Sequence, residues 1–448
     1  MGEQIEKGAT VEHDADISKF FDYLAETPDE ANVIDERADA ENSDIANEAA
    51  AAFIEVFGSG DETPYIAHDW VAHVPTHYCN QRYCGWLYGI IRPETESIYI
   101  FDSPIHSDNP SFLIGLFGEA VTTRPEISSD YWIEGRFEQG NPFMTIEVKS
   151  SDGVIAHYPI RIKQYDTTVK LFSRNTGLLE SDVMLDKCAV IVGVGSVGSL
   201  VALELAKSGV GSFVLIDTDT FELHNICRHQ CGFSDLGRYK VDAVRDKILD
   251  INPYAKVEVL NEVIQRIPKD QIISYLGRDS IVIGCGDNRA SADYACKLAC
   301  ETDSSFVATC CWSRAFAGEV FYWQSGHGLS CYECALGGLL DDERPESHQH
   351  YFASDKDEDE LAFEPGIAAD IDFVTLIAIK VCIDLLNRDN PNFTPKVINY
   401  LKQYTWISNT NSPKIGGEFA NIFSHPLQIT TCLSVEQRPD CINCAQGA

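Results

Sequence analysis

Between Cys188 and Arg289 the chain concentrates residue types that handle phosphate. Gly193-Val-Gly195-Ser-Val-Gly198 has the G-x-G-x-x-G spacing. Such glycines permit a tight turn and let backbone N–H groups approach a phosphate, which the aligned dipoles of a following helix then stabilise. Asp217 comes about twenty residues later, where a carboxylate can accept both hydroxyls of a ribose. This much suits a nicotinamide dehydrogenase as well as an ATP enzyme. The stretch Asp217 to Gln230, with Arg228, followed by Lys240 and by Gly286-Asp287-Asn288-Arg289, suits only the second. Arg228 and Lys240 bring two cations towards one polyphosphate, and Asp287 at a strand end can hold the Mg²⁺ that a polyphosphate carries. The implied chemistry is attack of a carboxylate on an α-phosphate, with pyrophosphate leaving.

Two further groups are spaced for metal. In Cys331-Tyr-Glu-Cys334 and Cys441-Ile-Asn-Cys444 the C-x-x-C spacing lets two thiolates grip one ion. Two pairs close a tetrahedral site with no open position, so the expected ion is a structural Zn²⁺. Two separate redox dithiols are the competing reading, but no helix N-terminus visibly activates either pair. His68, His73 and His77 lie beside Cys79 and Cys84, at spacings that match no ligand pattern.

These residues need elements to position them. Cys188-Ala-Val-Ile-Val192 is a continuous apolar run that feeds the glycine turn, and Ser199 to Ser208 reads as a helix closed by Gly209. A second buried strand, Ser212–Ile216, ends in Asp217, and a third, Ser280–Ile283, ends in Gly284-Cys-Gly-Asp287. Strands alternating with helices predict a parallel sheet covered on both faces, with its ligand at the carboxyl ends of the strands. The expected fold class is therefore α/β, a Rossmann-like parallel sheet with a glycine-rich nucleotide loop and a structural zinc over residues 169–448. A separate α+β domain is expected over 62–168, from short β-like runs at Ser97–Phe101, Phe143–Val148 and Ile155–Ile162. An acidic helical segment is expected over 1–61, where Ile17, Phe20, Phe21 and Leu24 have helical spacing.

From about Phe172 to Cys444 the chain resembles the ThiF/MoeB proteins and the adenylating half of ubiquitin-activating enzymes. The family's D-x-D…N-x-x-R-Q segment matches Asp217, Asp219, Asn225 and Arg228, with Gln230 displaced by an inserted His229. The resemblance implies that Asp217 takes the ribose, that Asn225, Arg228 and Lys240 take the phosphates, and that Asp287, followed by Asn288, takes magnesium. It implies ATP as the nucleotide and, as carboxylate substrate, the Gly-Gly tail of a small ubiquitin-like β-grasp protein. It further implies a homodimer in which each subunit lends the other an arginine, for which Leu171-Phe-Ser-Arg174-Asn is the matching element. The family carries the two cysteine pairs at the same two places. Members that form a thioester usually carry the nucleophile on the crossover loop after the first pair, here Ala335 to Phe363, which contains no cysteine. Either the reaction stops at the acyl-adenylate, or the thiol comes from elsewhere, with Cys310 and Cys311 the candidates.

Only four residues follow Cys444, so the ubiquitin-fold domain that eukaryotic members append to recruit a conjugating enzyme is not expected, and any such recruitment would use the N-terminal domain. The arrangement is similar to bacterial activating enzymes with an extra N-terminal domain, some of which belong to ubiquitin-like conjugation systems linked to phage defence. Adenylation of another peptide or small-molecule carboxylate, or a non-catalytic scaffold, are the alternatives. A formal net charge of −35 opposes nucleic acid and anionic membranes as partners. There is no signal-peptide core at the start and no uninterrupted apolar run long enough to span a bilayer, which points to a cytoplasmic protein. The 16 cysteines, most with apolar neighbours as at Cys296, Cys300 and Cys382, are expected to be reduced.

Overall fold

In a computed structural model of the chain, the residues described are 69–80, 85–101, 113–117, 131–136, 142–286, 289–312, 315–339, 366–409, 430–438 and 441. The expected helices of 1–61, together with His68, Cys84, Asp287, Asn288 and Cys444, lie outside them. The chain divides into two compact units, with the division between Gln164 and Tyr165.

The first unit is a closed barrel of seven strands: β1 (Val71–Pro75), β2 (Gly85–Arg92), β3 (Ser97–Phe101), β4 (Leu113–Phe117), β5 (Tyr131–Arg136), β6 (Phe143–Lys149) and β7 (Ile155–Tyr165). Their order around the barrel is β1-β3-β2-β4-β5-β6-β7. Alternation explains the closure. In β3, Ile98 and Ile100 are fully buried while Tyr99 faces out, and Ala72, Val74, Leu87, Ile133, Met144 and Ile146 fill the interior. Where the residue pattern suggests an α+β domain, the described part is almost all strand, with two short helical turns at Thr76–Cys79 and Pro93–Thr95. His73 stacks on Tyr99 outside the barrel, with ring centroids 4.5 Å apart.

The second unit is built on an eight-stranded sheet. Its strands are β8 (Cys188–Val192), β9 (Ser212–Ile216), β10 (Lys256–Leu260), β11 (Ser280–Gly284), β12 (Ser305–Cys311), β13 (Ala317–Trp323), β14 (Tyr404–Ser408) and β15 (Thr430–Leu433). The order is β10-β9-β8-β11-β12-β13-β14-β15, parallel through β12 and antiparallel beyond it. Five helices position the site: α1 (Ser196–Lys207), α2 (Lys240–Ile251), α3 (Arg289–Glu301), α4 (Tyr332–Leu339) and α5 (Ala368–Leu386).

The parallel strands are buried on both faces, which is why they read as unbroken apolar runs. Ala189 and Ile191 of β8 pack with α1, α2 and α5, whereas Val190 and Val192 pack with α3 and α4. The strand order reverses between β8 and β11, the place where open α/β sheets bind ligands outside the carboxyl ends of their strands. No helix of the described residues is long and apolar enough to cross a membrane.

Candidate nucleotide site

The glycine turn leaves the carboxyl end of β8 at that switch point. Gly193 has φ +88°, and a Cβ there would lie 2.7 Å from the Gly286 nitrogen, so only glycine fits both the conformation and the approach of β11. A Cβ on Gly198 would lie 1.9 Å from the Gly193 oxygen, so the first turn of α1 closes on the loop only without a side chain. Gly195 differs from both. Its φ is −72°, it caps α1, and nothing lies within 4 Å of where its Cβ would be. That open space, at a helix N-terminus, is what a phosphate needs.

Asp217 at the end of β9 is bound into this loop. Its Oδ2 accepts the Val194 amide at 2.6 Å, and its Oδ1 accepts the Asp219 amide at 2.8 Å. Asp219 in turn fixes Lys240, whose amide donates to the Asp219 carbonyl at 2.9 Å and whose ammonium donates to Asp219 Oδ2 at 2.8 Å. Lys240 is buried while Asp219 is exposed. The short bridge between Thr220 and Tyr239 brings the two together at the start of α2.

Asn225 organises the segment that carries Arg228. Its Oδ1 accepts the Glu222 amide at 2.9 Å, and its carbonyl accepts the amides of Arg228 and His229. Arg228 is half-buried. His229 is buried, with its ring 5.0 Å from that of Phe221. Its Nδ1 accepts the Cys231 amide at 3.1 Å, so the proton is on Nε2, which donates to the Val194 carbonyl at 2.8 Å. Burial pushes the imidazole down to about 4, keeping it neutral at ordinary pH.

Three cysteines meet at the start of α4. Cys331 Sγ lies 3.7 Å from Cys334 Sγ and 3.3 Å from Cys441 Sγ, and all three are buried. Thiolates about 2.3 Å from one tetrahedral ion stand roughly 3.8 Å apart, whereas a disulfide needs about 2.05 Å. The spacing and the soft donors fit a shared zinc-type ion. The Arg438 amide donates to Cys334 Sγ at 3.4 Å, as amides do around metal thiolates. Among the described residues, this is the one cluster of three or more side chains able to hold a metal.

The ThiF family profile matches residues 171–415, more than half of the chain. The chain belongs to the ThiF family. It is similar to ubiquitin-like modifier-activating enzyme 5 of Caenorhabditis elegans, 30% identical over 166 residues that cover 35% of this chain and 39% of that one. It is also similar to the molybdopterin-synthase adenylyltransferase of Salmonella typhimurium, 33% identical over 24% of this chain and 42% of that one. The tRNA threonylcarbamoyladenosine dehydratase of Bacillus subtilis is 34% identical over 25% of this chain and 45% of its own. The chain thus spans less than half the length of these relatives. Among solved structures, E. coli MccB overlays with a TM-score of 0.42 at 17% identity, covering 59% of this chain and 69% of MccB.

Not every expected residue gathers at the ThiF glycine turn. Arg174 is exposed in the turn Ser173–Asn175, which docks at the other end of α1. The Asn175 amide group donates to the Lys207 carbonyl at 3.0 Å, and Phe172 packs beside Gly209. A twelve-residue helix is about 18 Å long, so Arg174 stands far from its own chain's glycine turn. Cys310 and Cys311 are not on a loop; they end β12, where successive side chains point to opposite faces.

One ThiF-unit feature was missed by motif reading altogether. Glu319 of β13, 1% exposed, accepts Tyr404 Oη at 2.7 Å and Trp312 Nε1 at 2.9 Å on Oε2. Its Oε1 accepts the Cys310 thiol at 3.3 Å and faces Arg289 Nη2 at 3.5 Å. The available signal was a lone carboxylate inside the apolar run Ala317-Gly-Glu-Val-Phe-Tyr-Trp323, which has to be satisfied by partners.

Proposed function

We propose that this ThiF-family chain is an ATP-dependent adenylyltransferase that activates the C-terminal carboxylate of a small ubiquitin-like β-grasp protein ending in Gly-Gly. The observation that carries the reading is the open cradle at Gly195, with Asp217, Lys240 and the Arg228 segment all tied to the loop that forms it. In this reading Asp217 serves the ribose, Asp219 holds Lys240 in place, and Asn225, Arg228 and Lys240 stabilise the negative charge of the phosphates. Asp287 and Asn288 follow Gly286, whose backbone meets Gly193, and Mg²⁺ held by Asp287 would neutralise the departing pyrophosphate. The carboxylate oxygen attacks the α-phosphorus, the α–β bridging bond breaks, and an acyl-adenylate and pyrophosphate result.

The names of two relatives, a ubiquitin-like modifier-activating enzyme and a molybdopterin-synthase adenylyltransferase, support a protein tail as substrate. The dehydratase named for a tRNA base is the competing precedent, and the charge of −35 opposes tRNA. Arg174 lies too far from its own glycine turn to serve it, which supports a homodimer in which it completes the partner's site. Cys331, Cys334 and Cys441, with Cys444 as fourth ligand, would hold a structural zinc. In this reading the onward acceptor is a conjugating enzyme, in a cytoplasmic conjugation pathway of the kind used in antiviral defence.

The test is ATP–pyrophosphate exchange with a Gly-Gly-terminated β-grasp protein and with the same protein lacking its last two residues. Exchange that requires the intact tail, and that falls at least about a hundredfold in Asp287→Ala, is expected. Exchange indifferent to the tail would remove the protein-substrate assignment, and an unaffected Asp287→Ala would remove the metal role.

A further inference from the structure

His229 stands between Arg228 and Gln230, where the resembled motif has its arginine and glutamine adjacent, and nothing in the proposed chemistry uses it. Its surroundings are nevertheless fully specified. The ring is 7% exposed, both nitrogens are engaged, and the group it holds is the carbonyl of Val194, inside the glycine turn and 35 positions away.

Val194 is held on both sides. Its N–H is fixed by Asp217, which sets the peptide plane before it, and its C=O is fixed by His229, which sets the plane after it. In a trans peptide the C=O and the following N–H point in opposite directions. A donor that holds the Val194 carbonyl therefore aims the Gly195 N–H the other way, and Gly195 is the one glycine of the motif with open space around it. A backbone N–H fixed in this way before the ligand arrives costs no reorganisation when charge is placed on it.

We propose that His229 is a positioning residue of the nucleotide cradle: by holding the Val194 carbonyl it directs the Gly195 amide at a phosphate oxygen. The proposal rests on the nucleotide reading above and assigns it a specificity, because the aimed amide serves the phosphates and not the ribose, which is left to Asp217. Through the same ring, the Arg228 segment and the glycine turn are set relative to each other before ATP enters.

The replacements separate the two hydrogen bonds. Glutamine places its amide near the position of Nε2 and can still donate to Val194, whereas asparagine reaches only the position of Nδ1 and keeps just the acceptor for Cys231. Phenylalanine keeps the shape and the contact with Phe221 and loses both. Affinities for ATP and for adenosine are measured by titration calorimetry on the full chain, alongside thermal denaturation. His229→Asn and His229→Phe are expected to lose about ten- to a hundredfold in ATP affinity, the scale of one hydrogen bond to a charged group, while adenosine affinity changes less than about threefold; His229→Gln restores ATP affinity. If His229→Phe does not fold, the Asn and Gln variants decide. Parallel losses for ATP and adenosine, or Asn and Gln behaving alike, would overturn the proposal. Wild-type protein that binds neither ligand would instead overturn the nucleotide reading, and the role of His229 with it.

Discussion

Lys240 and Asp219 are joined twice, amide to carbonyl at 2.9 Å and ammonium to carboxylate at 2.8 Å. In the free protein the charge that the proposed function directs at a polyphosphate is thus already paired, with a carboxylate that is itself 63% exposed. Asp219→Asn leaves a buried ammonium with a weaker partner. Because Asp219 is largely in water, the cost is only about 1 kcal/mol, or a fall of about 2–4 °C in Tm. ATP supplies the missing charge, so the rise in Tm on adding ATP should exceed that of the wild type. A smaller ATP-induced rise would show that Lys240 does not reach the nucleotide.

The three motif glycines should respond differently to alanine. Gly198→Ala puts a methyl 1.9 Å from a backbone oxygen and is expected to unfold the second unit or cost it many degrees. Gly195→Ala meets nothing within 4 Å at φ −72°, so Tm should stay within a few degrees of wild type. Its methyl enters the cradle, and ATP affinity should fall at least about tenfold. Calorimetry on a Gly195→Ala protein of normal stability measures this, and unchanged affinity would place the phosphates elsewhere.

The contrast shows what the sequence carried. Cys188–Val192, Ser212–Ile216 and the start of β11 were legible as strands because a strand buried on both faces has no polar alternation to confuse it with. Ser97–Phe101 was legible for the opposite reason, a strict alternation. Barrel closure was not, since it depends on β1 pairing parallel to β3 across an intervening strand. The cluster of Cys331, Cys334 and Cys441 could be read from spacing. The partners of Glu319 could not, because Arg289, Cys310 and Tyr404 come from α3, β12 and β14, and Trp312 from the turn after β12, groups that only the order of the sheet brings together. His229 was read as a displacement in a motif, because its ligand, Val194, is 35 residues away.

Buried neutral His229 makes stability depend on pH. Its pKa is about 4 in the fold against 6.5 for the ordinary side chain, with burial the main cause, the Val194 carbonyl and Asp235 opposing it and Lys240 adding to it. A base whose folded pKa is depressed takes up a proton first in the unfolded chain, so the folded state loses ground as pH falls from 6.5 towards 4. Relative to His229→Gln, the wild type should lose about 2 kcal/mol between pH 7 and pH 5. Urea denaturation of both proteins at the two values measures it. Parallel pH profiles would mean that the imidazole is solvated.

The cysteine cluster should bring one zinc per chain through purification, measurable by elemental analysis. Cys441→Ser removes one of three buried thiolates and should both abolish the metal and destabilise the second unit by several kcal/mol, since the binding energy of a structural metal is folding energy. Chelation of the wild type should lower Tm in the same direction. Metal-replete protein without zinc, or chelation without effect, would return the three thiols to simple core packing.

Cys310 is expected not to be a nucleophile. Its thiol points at Glu319 Oε1, 3.3 Å away, so ionising it would set two negative charges side by side, with the guanidinium of Arg289 only partly offsetting them. Cys311 faces the other side of the sheet, packed against the core under α1 and α5. With ATP and a β-grasp substrate, Cys310→Ser and Cys311→Ser should support adenylation, and non-reducing gels should show no thiol-sensitive adduct that either substitution removes. Glu319→Gln sharpens the test. It keeps an acceptor for Tyr404 and Trp312 but withdraws the carboxylate charge, so alkylation of Cys310 by iodoacetamide should speed up in that variant. A Cys310-dependent adduct in the wild type would show that substrate binding moves Glu319 away from the thiol, and that the chemistry continues past the adenylate.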